Sequence, residues 1–396
     1  MKTQLSIIAT LVLLGVSHQA NASIHDGVET MLEQGKASGV LRYRYEYVDQ
    51  AGLQKKADAS TLLTRINYTT GALNGLKAVV EMDNVTSIGD ENYNSTVNGN
   101  TLYPVVADPT GTEVNQAHLQ LNTDKAQFTL GRQRINLDDQ RFVGGVAWRQ
   151  NEQTFDGYRV VYSPSEALKV DYSYIYNVNR IFGEKSAAGD LHGAVYLGNV
   201  SYKLNETTSL TGFAYLLDFD TAAALSTQTL GMRLSGKAFD SVNYTLSYAT
   251  QQDNADNPKS FDTDYLLAEV KGKVSSVGWT VGYEVLGSDN GVGFSTPLAT
   301  AHKFQGFADK FLGTPGAGVK DFYVGINGAV SGIKLSATYH QFDSDTGSVD
   351  YGNEIDLTAA YKVSEKCNLL VKYAMYDAEQ HATDTDKLWV MLTHKF

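Results

Sequence analysis

Residues 41–47 read Leu41-Arg42-Tyr43-Arg44-Tyr45-Glu46-Tyr47, an alternation that puts one Leu and three Tyr on one face of a strand and two Arg and a Glu on the other. Neither face suits a sheet packed in water. A closed barrel in lipid uses both, with the aromatic face against acyl chains and the charged face in a water-filled lumen. The inverse arrangement would turn Arg42 and Arg44 toward lipid at roughly 2–4 kcal/mol each near the midplane, which fixes the orientation.

Working outward, the pattern repeats from Gly39 to Phe396 as segments of about ten residues, apolar or aromatic alternating with polar, separated by turn residues. Strand candidates fall at 39–48, 60–70, 75–83, 114–122, 126–135, 153–163, 167–177, 193–203, 208–219, 228–237, 241–251, 262–272, 277–287, 320–330, 333–343, 353–363, 368–377 and 386–396. The expected fold is therefore all-β, a transmembrane antiparallel β-barrel of about 18 strands, with 16 as the alternative even count. Short connections (71–75, 122–125, 163–166, 205–208, 239–241, 274–276, 330–332, 364–366) alternate with longer ones rich in Gly, Asn, Asp and Thr. Short turns are expected on the periplasmic side. The long stretches 84–113, 136–152 and 288–319 are expected to be extracellular or folded into the lumen.

The N-terminus fits a secretory leader: Lys2, an apolar run from Leu5 to Val16, and Ala20-Asn21-Ala22 as a small-x-small cleavage site. The expected division is a signal peptide over 1–22, a periplasmic lead-in over 23–38 with weak helical periodicity, and the barrel over 39–396. The apolar run is too short to span a bilayer as a helix. Mean hydropathy of −0.25 is modest for a membrane protein and suits a barrel, where every second residue meets lipid. Removing residues 1–22 takes away Lys2 and no acid, so the net charge of −12 becomes one unit more negative. A chain this acidic is a poor nucleic-acid partner. With Cys367 alone, no intramolecular disulfide forms, and the thiol reads as a small residue opening a strand.

Apolar parity assigns the lumen. Outward Leu62, Ile66 and Tyr68 leave Arg65 inside; outward Leu76, Ala78, Val80 and Met82 leave Lys77, Glu81 and Asp83 inside. Tyr158, Val160 and Tyr162 place Arg159 in the lumen, Leu230, Met232 and Leu234 place Arg233 there, and Tyr172, Tyr174 and Tyr176 place Lys169 and Asp171 there. All arginines lie at or before Arg233, so the N-terminal strands build a basic arc. Arg42 and Arg44, roughly 6.5–7 Å apart on one strand, are expected to hold successive acidic groups of an extended ligand, since the guanidinium fork matches a carboxylate. The plain alternative is that lumen charges solvate the pore and pair across it.

One place breaks parity. Phe128 and Leu130 face outward, and Arg132 follows them; Asp156 shares the outward parity of Tyr158. A register pairing Leu130 with Tyr158 also pairs Arg132 with Asp156, which predicts a cross-strand ion pair above the lipid band. A bulge at Gly131 that turns Arg132 inward is the alternative.

The segments LRYRYEYVDQ, TLLTRINYTTGALNGLKAVVEMDNVTSIGD, DPTGTEVNQAHLQ, TLGRQRINLDDQRFVGGVAWRQNEQTFDGYRV and FSTPLATAHKFQGFADKFLGTPGAGVKDFYV resemble the alginate-export family of bacterial outer-membrane barrels. The resemblance implies a monomeric eighteen-stranded barrel with infolded loops and an arginine-rich constriction. The matching positions would be Arg42, Arg44, Arg65, Arg132, Arg134, Arg141, Arg149 and Arg159, with Glu46, Glu81, Asp138, Asp139 and Asp156 as counter-charges. The last strand, Leu388 to Phe396, resembles the C-terminal signature that presents such chains to the barrel assembly machinery. Loop 136–153, with Trp148, Arg149, Gln150 and Asn151, is expected to constrict the pore, and 294–321, with His302, Lys303, Asp309 and Lys310, to cover its mouth.

Other chemistries read weakly. GTPGAGVK at 313–320 lacks the Gly-Lys-Ser/Thr ending of a phosphate loop. The eight His occur singly, so no cofactor or transition-metal centre is legible. Asp108, Thr110, Glu113 and Asn115 suit Ca²⁺, but a solvated loop is the simpler account. A barrel enzyme would need a positioned triad that His340 does not supply, and a closed structural barrel suits eight strands better than eighteen. The expected function is passive diffusion of small hydrophilic anions, organic acids or acidic saccharides, through an outer membrane whose lipid and lipopolysaccharide are the surrounding partners. The alternative is a dedicated exporter of an alginate-type polysaccharide.

Overall fold

The computed structural model describes residues 20–396. The expected leader lies, up to residue 19, outside the described residues. Helix α1 (Ala20–Glu33) fills most of the expected lead-in. It is tied to the turn after the second strand, where Gly71 N–H donates to the Met31 carbonyl (2.8 Å) and Tyr68 Oη to that of Leu32 (2.5 Å).

The strands are β1 (Lys36–Gln50), β2 (Ala57–Thr69), β3 (Leu76–Ser87), β4 (Gly111–Asn122), β5 (Ala126–Gln133), β6 (Thr154–Tyr162), β7 (Leu168–Asn179), β8 (Asp190–Lys203) and β9 (Ser209–Phe219). They continue as β10 (Thr227–Ala238), β11 (Val242–Asp253), β12 (Asp262–Val274), β13 (Val277–Leu286), β14 (Val319–Val330), β15 (Ile333–Asp343), β16 (Asp350–Lys362), β17 (Cys367–Ala378) and β18 (Thr385–Lys395). Each pairs antiparallel with the next. β18 closes on β1 with Leu392 opposite Tyr43, so the 18-stranded sheet has no edge. Among the described residues no helix is long and apolar enough to cross a membrane, and the crossing is made by strands.

Strand ends differ from expectation mostly on the long-loop side, where β2, β4, β8 and β16 each begin three residues early and β3 runs on to Ser87. The apolar-out signal fades there while the backbone ladder continues. The outer face is a belt of exposed large side chains, among them Ile66, Val80, Leu130, Tyr158, Tyr172, Leu230, Tyr248 and Leu357. Exposure of this kind is stable only against lipid.

A uniformly polar lumen is not what the structure shows. On β7, β8, β9 and β12 part of the inward parity is apolar, with Ile175, Val195, Leu197, Phe213, Tyr215, Phe219 and Tyr265 buried. Loops 134–153 and 287–318 fold inside and pack on this wall through Ile135, Phe142, Val143, Phe294 and Leu298. The Phe142 ring lies 4.9 Å from Phe213 and 5.2 Å from Tyr265, an arrangement that adds edge and stacking contacts to plain burial. The loops are thus held as a second layer inside the barrel.

Arg132 stands opposite Asp156 and Leu130 opposite Tyr158, in unbroken register through Gly131. Gly131 has φ +116°, and a Cβ there would lie 2.4 Å from the Ala117 carbonyl oxygen, so glycine is required without a bulge in its own strand.

Candidate functional site

Strands β1–β3 aim their polar parity at the loop over 134–153. Arg42 donates from Nε to Gln150 Oε1 (2.9 Å), from Nη1 to the Ala147 carbonyl (2.9 Å) and from Nη2 to that of Arg149. Arg44 donates to the Trp148 carbonyl and to Glu46 Oε2 (2.9 Å), and its guanidinium stacks 4.4 Å from the Trp148 ring centroid. Arg149 donates to the same Glu46 oxygen at 2.9 Å. Asp108 reaches in from loop 88–110, accepts the Gln150 N–H (2.9 Å) and stands 3.4 Å from Arg44 Nε.

This arrangement corrects the ligand ladder expected of Arg42 and Arg44. Apart from Arg44 Nε, which only faces Asp108, their donor nitrogens are bonded to loop carbonyls, Gln150 and Glu46, and Arg44 is fully buried. They bolt the constriction to the wall. Asp108 is likewise turned into the charge cluster and is not a residue of a solvated loop. Glu113 instead accepts the Glu184 N–H (3.0 Å) and Asn115 donates to Glu81 (2.8 Å), so the residues considered for Ca²⁺ point to different partners.

Next to it, Arg65 holds Asp83 through two bonds (2.7 and 2.5 Å) and Glu152 through a third (2.5 Å). Arg134 bridges Glu81 and Glu152. The pairs are asymmetric toward water: the Arg134 side chain is 28 % exposed against 5 % for Glu81 and 4 % for Glu152. Arg65 is 12 % exposed against 3 % for Asp83, and Arg159 is 15 % against 3 % for Asp171, which it holds at 2.8 and 2.6 Å. The carboxylates sit behind the guanidiniums.

The other expected site residues are dispersed. Arg141 crosses to the far wall, donating to Glu284 (2.8 Å) and Gln305 (3.2 Å), while Tyr265 Oη donates to Glu284 at 2.6 Å. Asp138 accepts from Asn199 (2.8 Å) and Asp139 pairs with Arg233 (2.7 Å). Arg132 and Asp156 form a bidentate pair (2.8 and 3.1 Å) on the outer face, their neighbours Gln133 and Phe155 being buried inside. As pore-lining residues, these two are corrected by the structure, because strand parity carries them to the lipid-facing side.

Sequence reading passed over a cluster on β17 and β18. Lys372 Nζ donates to His302 Nε2 (2.9 Å) and lies 2.9 Å from the Phe307 ring centroid and 4.2 Å from that of Trp148. His302 Nδ1–H donates to Asp309 Oδ1 (2.7 Å), and Lys387 donates to Asp309 Oδ2 (2.8 Å). Burial, then the Lys372 ammonium, push the His302 imidazole down to about 3 against the pull of Asp309. The ring is therefore neutral and its two nitrogens have fixed roles. Burial works against ionised Asp309, yet Lys387, His302 and Arg149 outweigh it and hold the carboxyl well below its usual range. A lysine at polar parity in Val371-Lys372-Tyr373, on a strand otherwise apolar, is the signal that would have found this cluster.

The segment Ala301–Lys310 divides the lumen. On the short-turn side a cavity of about 390 Å³ is lined by Asp139, Arg233, Glu269, Glu284, Lys303 and Tyr323 among others. On the long-loop side one of about 450 Å³ is lined by Trp148, Arg149, Arg180, Phe182, Lys310 and Leu312 among others. Each has the size of one small molecule. Among the described residues no His, Cys, Asp and Glu group forms a metal site.

A closed, lipid-belted barrel with charged loops folded into its lumen defines the class: a porin of the bacterial outer membrane. Within that class the chain belongs to the alginate export family, whose model matches residues 35–285. No curated protein matches. Solved structures of similar fold include Pseudomonas aeruginosa OccK3 (12 % identity, 94 % of this chain and 98 % of that one, TM-score 0.72). OccK9 of the same organism is similar too (16 %, 92 % and 99 %, TM-score 0.73), as is its OpdK in a structure with vanillate (15 %, 92 % and 99 %, TM-score 0.72).

Proposed function

We propose that the protein is a passive channel for small hydrophilic anions, driven by the solute's own gradient. The observation that carries this reading is the exposure asymmetry at the constriction, where Arg134, Arg65 and Arg159 stand nearer water than the carboxylates that neutralise them. A permeating ion meets donors first, and a field focused by low-dielectric walls favours negative charge. The leader over 1–22 is read as removed after Ala22, and the strand ending in Phe396 as the segment offered to the assembly machinery.

Reversal potential of the refolded protein in a planar bilayer under a KCl gradient tests this. Anion preference that falls in Arg134→Gln supports it, and cation preference in the unaltered protein overturns it. Family membership favours a second reading, export of an acidic polysaccharide. Chambers of about 390 and 450 Å³ on either side of Ala301–Lys310 favour the small solute. Oligouronates that relieve or carry current through the pore would favour the polymer.

A further inference from the structure

We propose that the long-loop chamber is a binding site for an amphipathic organic carboxylate, one with a flat or compact apolar body, an assignment that rests on the channel reading and narrows its substrate class. The chamber has two arms of different chemistry. Its apolar arm is formed by Trp148, Ile181, Phe182, Leu225, Pro297 and Leu312. Its charged arm has two cations without ion-pair partners among the described residues. Arg180 donates to the Ala188 carbonyl at 3.4 Å and lies over the Phe182 ring at 4.8 Å. Lys310 lies 6.0 Å from the Tyr376 ring centroid. The other cations lining this chamber, Arg149 and Lys387, are paired with carboxylates within the protein, so among those of the chamber wall these two are left for a ligand.

Several polar side chains of the same wall are already bonded within the protein, leaving Gln50 and Ser295 as its uncharged side chains without such a bond among the described residues. Gln153 donates to the Gly144 and Leu298 carbonyls (2.9 and 3.0 Å), and Thr314 Oγ1 donates to that of Phe294 (2.6 Å). A sugar acid entering here would lose the hydration of its hydroxyls with few donors or acceptors to replace it. An aryl or alicyclic acid gives up only apolar surface to the six apolar residues and keeps its carboxylate for a lining cation, Arg180 or Lys310. The geometry therefore discriminates between acids of equal charge by the body they carry.

The test is inhibition of KCl conductance in planar bilayers by sodium benzoate and, as the hydroxylated acid of equal charge, sodium glucuronate. Half-inhibition by benzoate at a concentration at least about tenfold below glucuronate, weakened about tenfold in Lys310→Gln or Arg180→Gln, supports the assignment. Equal potency of the two acids, or unchanged benzoate potency in both variants, overturns it. The comparison of acids in the unaltered protein stands if a variant fails to fold. Reversal potential on the same channels separates the two claims: anion preference with equal acids sinks the substrate class alone, whereas cation preference sinks the channel reading beneath it.

Discussion

Nε2 of His302 accepts a hydrogen bond from Lys372 Nζ at 2.9 Å while Nδ1–H of the same ring donates to Asp309 at 2.7 Å, so one neutral imidazole joins β17 to the infolded segment Ala301–Lys310. The ring also stacks on Trp148 at 4.4 Å with planes 8° apart, which couples this segment to the loop over 134–153. A single side chain therefore touches both constriction elements and the C-terminal wall. His302→Phe keeps the stacking and removes both bonds. Larger or noisier single-channel conductance is the expected result, and an unchanged conductance would mean that the segment's other ties, Lys387 to Asp309 and the Ala308 N–H to Glu354 among them, hold it without this ring's bonds.

Arg65 answers three carboxylates, with Asp83, Glu152 and, at 3.6 Å, Glu81 around it. Removing it leaves buried Asp83 without a cation and Glu81 and Glu152 with Arg134 alone, and breaking a buried pair typically costs about 3–5 kcal/mol. Arg65→Ala is expected to lower the urea midpoint in lipid vesicles and to shift the reversal potential toward cations. If the midpoint falls and the potential does not move, Arg65 is structural only.

The outer-face pair of Arg132 and Asp156 has a different weight. It is bidentate but part-exposed, 25 % and 14 %, and cross-strand pairs of this kind contribute about 0.2–1 kcal/mol. Asp156→Asn is expected to lower stability by that small amount in vesicles and to leave ion selectivity as it is. A change in selectivity would show that the pair communicates with the lumen.

The strands were legible because lipid imposes period-two alternation on every one of them, and residues such as Tyr158 and Leu230 mark the outer face without knowledge of any neighbour. The ion pair of Arg132 and Asp156 was legible for the same reason: two parity breaks fell at one register. What lay inside the barrel was not. Phe213-Ala214-Tyr215-Leu216-Leu217 is apolar on both faces, which signals that something packs within but does not say which loop does so. Arg42 and Arg44 look like ligand-binding residues until their partners are seen to be loop carbonyls. Backbone acceptors carry no sequence signature, so the difference between a filter and an anchor is invisible before folding.

Proton linkage at Lys310 provides a test that needs no mutation. Burial, and then the charge of Lys387, push its ammonium down to about 8, against the opposing pull of Glu354 and Asp309. The groups facing it are Lys387 on β18, Glu354 on β16, Tyr376 on β17, Asp309 beside it, and His381, whose Nε2 lies 3.3 Å from the Lys310 carbonyl. A cation with a lowered pKa is charged below that value and neutral above it. Benzoate is an anion throughout, so its inhibition of KCl current is expected to weaken as pH rises from 7 to 9, with the change centred near 8 and about tenfold in extent. Lys310→Gln should be weak at both ends of that range and flat between them. A pH profile that persists in the variant would move the titrating group elsewhere in the chamber and remove Lys310 from the site.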